Sequence, residues 1–232
     1  PTLYPEQTIS DNNVDIVIPG DGEYACFDLA ECLRIGSEIS SVKGIFYKDK
    51  TGKIVFTGQR IDLVNLDSLP FLNYDLVELD KYIYRNIDLT FAYSYSGVKD
   101  RHLAVIGSLG CKFRCAFCVN PIVHHRTQRV KSASRLLDEI EYFIGKYNTH
   151  FFYIRDEDFF GDKKRLMEFL SGIKSRKIRF KWCANGRCTY FNDNYINNEL
   201  LKSMIDLGLY RLGVGAESGS QRVLDILKKD IK

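Results

Sequence analysis

Four alternations of a strand-like and a helix-like segment, all after Arg101, constrain the fold of this 232-residue chain more than any other feature. Each short apolar run is followed by a segment whose apolar residues recur at helical spacing. Such successive strand–helix units predict an α/β fold in which helices cover a parallel sheet that is curved or closed as a barrel. The predicted strands cover 102–107, 150–156, 178–185 and 210–217, and the predicted helices cover 132–147, 162–173, 197–208 and 218–229.

Polar residues follow the end of every predicted strand. In β/α barrels the functional site is built at this carboxyl-terminal rim of the strands. Any one of these residues could simply cap the helix after it. Because they follow all four strands, a shared site is the favoured interpretation. They are a cysteine-rich loop just past the end of the first strand, Asp156, Glu157 and Asp158 at the end of the second, Asn185 and Arg187 at the end of the third, and Glu217 at the end of the fourth.

The cysteine-rich loop, "GSLGCKFRCAFCVNP", places Cys111, Cys115 and Cys118 within eight residues. Clustered thiols are a poor disulfide framework and are more often metal ligands. Structural zinc takes four protein ligands, and a fourth is not obvious here, although His124 and His125 follow after a proline. An iron–sulfur cube held by three cysteines instead leaves one iron open, which is a catalytic arrangement. The other four cysteines, Cys26, Cys32, Cys183 and Cys188, are interpreted as packing residues.

A C-x₃-C-x-F-C loop after the first strand of a β/α barrel resembles the radical SAM superfamily. The resemblance implies that Cys111, Cys115 and Cys118 hold a [4Fe-4S] cluster, whose open iron binds the amino and carboxylate groups of S-adenosyl-L-methionine. It also implies that the cluster cleaves the sulfonium reductively, and that Phe117 lies near the adenine. The family's partial barrel typically has six strand–helix units, of which this sequence contains four.

The same resemblance assigns further rim residues to S-adenosylmethionine. The segment "RDEDFF" occupies the place of a motif that contacts the methionine amine, although a Gly-Gly-Glu is typical there. The segment "GVGAESGS" resembles the one whose polar residue reaches the ribose or carboxylate. A lysine near the end of the sequence is expected to face the cofactor carboxylate or, alternatively, to lie solvated on a helix face. The resulting candidates for cofactor binding are Phe117, Asp156, Glu157, Asp158, Arg187, Glu217 and Lys229, with Arg187 also able to pair with substrate or with nearby aspartates.

The amino-terminal residues predict a strand at 14–20, a helix at 21–36 and a hairpin at 44–58. In the helix, Asp21 is the expected N-cap, Gly36 the expected stop, and Phe27, Ala30 and Leu33 the expected core face. Together with "LDSLPFLNYDL", this region resembles the cobalamin-dependent branch of the superfamily, in which a Rossmann-like cobalamin-binding domain precedes the barrel. The resemblance divides the chain into the tail of that domain (1–40), a hairpin and linker (41–100) and a truncated radical SAM core (101–232).

Composition excludes some functions and leaves others open. The net charge of +3 is too small to indicate nucleic acid, and no apolar run reaches the roughly 20 residues of a membrane span. We expect a cytoplasmic protein, cut at both ends, that acts on a small-molecule or peptide substrate and takes electrons from a donor such as flavodoxin or ferredoxin. The favoured function is a cobalamin-dependent radical SAM methyltransferase or related enzyme, with the catalytic residues unassigned. A cobalamin-independent, methylthiotransferase-like enzyme and a zinc-stabilised binding module are the alternatives.

Overall fold

The computed structural model describes residues 1–60, 65–83 and 101–231. The chain divides into two compact units, one formed by Pro1–Asn65 with Val119–His125 and the other by Leu66–Cys118 with Arg126–Lys232. The domain limits expected at residues 40 and 100 remain predictions.

The secondary structure alternates between helices and strands along most of the described chain. The helices are α1 (Pro5–Ser10), α2 (Glu23–Ile35), α3 (Asp80–Ile83), α4 (Asn120–Val123), α5 (Ala133–Tyr147), α6 (Lys163–Arg176), α7 (Asn198–Asp206) and α8 (Gln221–Ile226). The strands are β1 (Ile16–Val17), β2 (Phe46–Lys48), β3 (Ile54–Phe56), β4 (His102–Val105), β5 (Ser108–Leu109), β6 (Arg129–Val130), β7 (Phe151–Ile154), β8 (Lys181–Arg187) and β9 (Leu209–Gly215). Among the described residues, no helix combines the length and apolar character that crossing a membrane requires.

The first unit contains an antiparallel sheet in the order β1-β2-β3. The β2–β3 pair is the predicted hairpin, and its turn depends on Asp49, whose carboxylate accepts the backbone N–H groups of Thr51 (2.8 Å) and Lys53 (3.0 Å). Gly52 supplies the left-handed conformation of the turn, with φ +83°. The hairpin is therefore confirmed. The Rossmann-like origin of residues 1–40 remains a prediction.

Helix α2 buries a different face from the one predicted. Ala25 and Cys32 are buried and pack with Val42 and Ile45, whereas Phe27 and Leu33 are 70% and 61% exposed. The small side chains bring the helix backbone close to its neighbours, and periodicity of large apolar residues does not reveal such a contact.

Only the carboxyl-terminal end of α2 matches the prediction. Gly36 ends the helix in the left-handed conformation, with φ +72°, as expected. The helix begins at Glu23 after Gly22, which offers no side-chain cap, so Asp21 is not the N-cap. Cys26 is exposed, which makes its interpretation as a packing residue wrong.

The second unit is built on a parallel sheet in the order β4-β7-β8-β9. Each strand pairs in parallel with the next along the chain; His102 lies opposite Phe151, for example, and Phe151 opposite Lys181. The α/β class and the parallel sheet are thus confirmed, and all four predicted strands are present.

One main hydrophobic core joins the helices to this sheet. Leu136 from α5, Leu166 from α6 and Met204 from α7 belong to the same buried cluster as Phe152 and Trp182 from the strands. A separate small cluster, Phe151, Tyr153 and Cys183, uses the alternate positions of β7 and β8 and therefore lies on the opposite face. The three helices consequently pack on one side of the sheet, and Phe151, Tyr153 and Cys183 lie on the other side.

Side-chain caps start three of the four predicted helices. Ser132, Asp162 and Asn197 accept backbone N–H groups at the starts of α5, α6 and α7. Helix α8 departs from the predicted range 218–229 because it begins at Gln221, after Ser220. It also ends at Ile226 rather than continuing toward the end of the sequence.

The predicted linker, 61–99, is described only in part, since residues 61–64 and 84–99 lie outside the described residues. Its described part packs against α5. The Asp67 carboxylate accepts the N–H of Ser132 (2.8 Å), and the Arg135 guanidinium lies 3.9 Å from the centre of the Phe71 ring.

Candidate functional site

The start of the cysteine-rich loop is fixed to the sheet by a buried ion pair. Asp156, two residues after the end of β7, accepts the backbone N–H groups of Gly107 (2.6 Å) and Ser108 (2.8 Å). Arg165 of α6 bonds the other Asp156 oxygen (3.2 Å) and the Gly107 carbonyl (2.9 Å). An added Cβ at Gly107 would lie 2.5 Å from Arg165 Nη2 and 3.1 Å from both Asp156 oxygens, so a larger residue would displace this ion pair. These contacts give Asp156 a structural role and favour it less as a cofactor ligand.

The loop itself presents three free, partly exposed thiols, those of Cys111, Cys115 and Cys118. Burial raises the pKa of Cys111, and the neighbouring Asp158, Cys115 and Cys118 raise it further. Within the described ranges, no three or more His, Cys, Asp or Glu side chains have the geometry of a metal site.

Arg187, at the end of β8, contacts this loop directly. Its guanidinium lies 3.7 Å from the centre of the Phe113 ring, and its Nη1 donates to Cys115 Sγ at 3.7 Å. Its Nη2 donates to the carbonyl oxygen of Lys229. The side chain is buried, and its Nε has no hydrogen-bond partner among the described residues.

Glu217 and Lys229 form an ion pair beside the same loop. Lys229 Nζ lies 2.8 Å from Glu217 Oε1 and 5.6 Å from the centre of the Phe117 ring. Lys229 is only 7% exposed, because the chain turns back after α8 instead of extending the helix. Its alternative placement, solvated on a helix face, is therefore wrong.

Two backbone features accommodate this ion pair, a left-handed conformation at Glu217 and a glycine at position 215. Glu217 has φ +63°, a left-handed conformation that costs a non-glycine residue about 1–2 kcal/mol. Such strain persists where the surrounding structure enforces it, commonly at functional sites. Gly215 leaves the space that the pair occupies, since an added Cβ would lie 2.8 Å from Glu217 Oε1 and 3.2 Å from Lys229 Nζ.

Asp158 is the second buried acid after β7. Tyr190 donates its hydroxyl to Asp158 Oδ2 (2.8 Å), while Oδ1 is buried without a hydrogen-bond partner in the described part of the chain. Burial raises the pKa of Asp158, and the hydrogen bond from Tyr190 opposes that shift. Its charge contributes to the raised pKa of Cys111 in the loop. Glu157, between the two aspartates, is exposed.

The predicted residues thus separate into three groups. Cys115, Phe117, Arg187, Glu217 and Lys229 form one chain of contacts, with Cys111, Cys118 and Asp158 adjoining. Asp156 holds the start of the loop through the backbone of Gly107 and Ser108, and Glu157 is exposed.

Sequence reasoning missed two residues of this site, Phe113 and Tyr190. Phe113 lies between two of the loop cysteines, and Tyr190 follows the third strand, so their rim positions are the signal that could have identified them. Cys183 is buried beside Phe151 and Tyr153, which confirms its packing role.

Known proteins are similar to this chain in sequence and in fold. Residues 105–232 match the family model of the radical SAM superfamily. The uncharacterized methyltransferase PH0819 of Pyrococcus horikoshii is 29% identical over 99% of this chain and 46% of its own length. The anaerobic magnesium-protoporphyrin IX monomethyl ester cyclase of Rubrivivax gelatinosus is 26% identical over 98% of this chain and 39% of its own length.

A solved structure shares the fold. It is the cobalamin-dependent S-adenosylmethionine radical enzyme OxsB with aqua-cobalamin and S-adenosylmethionine bound, with a TM-score of 0.74 and 22% identity over 100% of this chain and 32% of OxsB. The chain thus spans less than half the length of these relatives. The family match covers more than half of the chain and includes the cysteine loop, Arg187, Glu217 and Lys229. The chain belongs to the radical SAM superfamily.

Proposed function

We propose that this chain forms the cluster- and S-adenosylmethionine-binding part of a cobalamin-dependent radical SAM enzyme, most simply a methyltransferase. The observation that carries the proposal is the cysteine loop at the carboxyl end of the first parallel strand, in contact with Arg187 and close to the Glu217–Lys229 pair. The methyltransferase assignment draws on the relatives' names, and cobalamin draws on what OxsB binds.

The donor set fits a [4Fe-4S] cluster. Cys111, Cys115 and Cys118 supply three thiolates on one short loop, and three ligands leave one iron free for a further ligand. The unpartnered Asp158 Oδ1 and Arg187 Nε are buried polar atoms of the kind that a bound group satisfies. When bound, the cluster supplies the electron that cleaves the sulfonium of S-adenosylmethionine.

The remaining residues would bind and orient S-adenosylmethionine. Its amino group needs hydrogen-bond acceptors, and Asp158 Oδ1, which has no partner among the described residues, offers one beside the loop. Its carboxylate and ribose need a cation and polar partners, which Lys229 and Glu217 provide. Phe117, an exposed aromatic residue of the loop, offers an apolar surface to the adenine.

The whole protein's reaction, substrate and partners belong to the proposal. A small-molecule or peptide substrate, a flavodoxin- or ferredoxin-type electron donor and a cytoplasmic location are consistent with it. For this chain we propose four of the about six strand–helix units of a partial barrel, preceded at residues 1–40 by the tail of a Rossmann-like cobalamin-binding domain.

The test uses the full-length protein purified without oxygen. Iron, acid-labile sulfide and cobalamin are measured per chain, and S-adenosylmethionine consumption is then followed under reducing conditions with and without added cobalamin. We expect about four irons per chain and cobalamin-dependent consumption. Consumption that is indifferent to cobalamin would favour the methylthiotransferase-like alternative. Zinc without iron or sulfide would indicate the binding module and overturn the proposal.

A further inference from the structure

We infer that Arg187 is a positioning residue that tunes the reduction potential of the cluster by donating a hydrogen bond to the Cys115 sulfur. This inference rests on the proposed function, because it requires the loop thiols to hold a cluster. It adds a role for a residue outside the cysteine loop that touches a ligand atom directly.

The placement of Arg187 supports a contact to sulfur in particular. Nη1 lies 3.7 Å from Cys115 Sγ, and the guanidinium plane is held from two other directions, by the Phe113 ring at 3.7 Å and by the Lys229 carbonyl. A planar fork fixed in this way keeps one N–H directed at the thiol. Burial limits competition from water for that bond.

Arg187 is also one of the links between the loop and the segment after α8. The N–H of Ala116 donates to the Leu227 carbonyl (2.8 Å), and Arg187 bonds the Lys229 carbonyl two residues later. The Cys115 side of the loop is therefore held against residues 227–229 by a backbone bond and by one arginine. A change in Arg187 alters the environment of the sulfur while the backbone bond remains.

The direction of the effect follows from charge. A cluster that has gained one electron places more negative charge on its cysteine sulfurs, so an N–H donor stabilises the reduced form more than the oxidised form. Hydrogen bonds to sulfur and nearby charge are among the factors that set iron–sulfur potentials. Removing the donor should therefore make the potential more negative.

Arg114 provides a matched control for charge alone. It lies within the same loop, between Cys111 and Cys115, but its side chain is 58% exposed and faces Asp230 at 3.6 Å. Its charge is screened by solvent. Arg114→Met thus removes a loop cation without removing a donor to sulfur.

The experiment is an EPR-monitored redox titration of full-length, cluster-loaded wild type, Arg187→Met, Arg187→Lys and Arg114→Met. At a fixed applied potential, the ratio of reduced to oxidised cluster in Arg187→Met should fall about tenfold, which for a one-electron couple is a shift of about 59 mV. Arg187→Lys keeps the charge but lacks the planar fork, so its shift should be smaller and of the same sign. Arg114→Met should match wild type.

The outcomes separate this inference from the proposed function. A wild-type protein without a cluster would defeat the proposed function and this inference with it. A loaded wild type whose potential equals that of Arg187→Met would overturn the inference alone, and so would an equal shift in Arg114→Met. If Arg187→Met fails to load iron, Arg187→Lys decides: a lowered potential supports the role, and a wild-type potential overturns it.

Discussion

Gly215→Ala should weaken S-adenosylmethionine binding while leaving the fold and the cluster intact. The added Cβ would lie 2.8 Å from Glu217 Oε1 and 3.2 Å from Lys229 Nζ, so the ion pair must move. Gly215 is outside the left-handed region of φ, and alanine therefore introduces no backbone strain. The displaced carboxylate is the end of a flexible side chain, so the free energy of unfolding should change by no more than about 1 kcal/mol.

The magnitude for binding follows from the contacts that would be misplaced. Losing one hydrogen bond to a charged group costs about 1.5–3 kcal/mol. At about 1.4 kcal/mol for each factor of ten, the Kd for S-adenosylmethionine should rise by about tenfold to a hundredfold. Isothermal titration of the cluster-loaded, full-length protein measures this change. Glu217→Ala, which removes the carboxylate outright, should produce a loss at least as large.

Gly145→Ala is the matched control for Gly215→Ala. Gly145 lies in α5, and an added Cβ there meets no atom within 4 Å. This variant should stabilise the fold by about 0.5–1 kcal/mol and leave the Kd unchanged. An unchanged Kd in a folded, cluster-loaded Gly215→Ala protein would refute the assignment of this ion pair to the cofactor.

Two further predictions concern stability, measured by chemical denaturation. Arg165→Met should lower the free energy of unfolding by about 3–5 kcal/mol, because it leaves the Asp156 charge buried without its ion-pair partner. Arg176→Met is the control and should lower it by at most about 1 kcal/mol, because Asp138 and Glu141, the partners of Arg176, are surface residues. Equal losses in the two variants would argue against the anchoring role of Asp156. Gly208→Ala should lower the free energy of unfolding by at least about 3 kcal/mol, because φ is +95° and the new Cβ would lie 2.0 Å from the Phe180 carbonyl oxygen. A loss below about 1 kcal/mol would contradict the tight turn into β9.

The parallel sheet could be predicted because its signals are local. Buried strands read as apolar runs, and the helices between them carry both periodicity and a polar cap such as Ser132 or Asp162. The carboxyl-terminal rim then follows from topology, because parallel strands all end at the same edge of their sheet. The cysteine loop, Arg187 and Glu217 could therefore be assigned to one edge from the amino-acid sequence.

The predictions that were wrong depend on contacts between residues that are far apart in the sequence. Nothing near Lys229 in the sequence stops a helix, yet the chain turns back there and its ammonium pairs with Glu217. In α2, the buried face is marked by Ala25 and Cys32, whose small size carries little hydrophobic signal. Asp156 and Asp158 are both buried, but only their partners, Arg165 and Tyr190, distinguish an anchor from a candidate ligand.

Iron and acid-labile sulfide content of the full-length protein, purified without oxygen, is the most direct test that the loop thiols hold a cluster. Wild type should contain about four irons per chain, and Cys115→Ala should lose them while remaining folded by circular dichroism. Cys188→Ala is the control, because Cys188 is also partly exposed in the same unit but lies outside the loop. It should retain wild-type iron. A folded Cys115→Ala protein with a full complement of iron and sulfide would contradict the account.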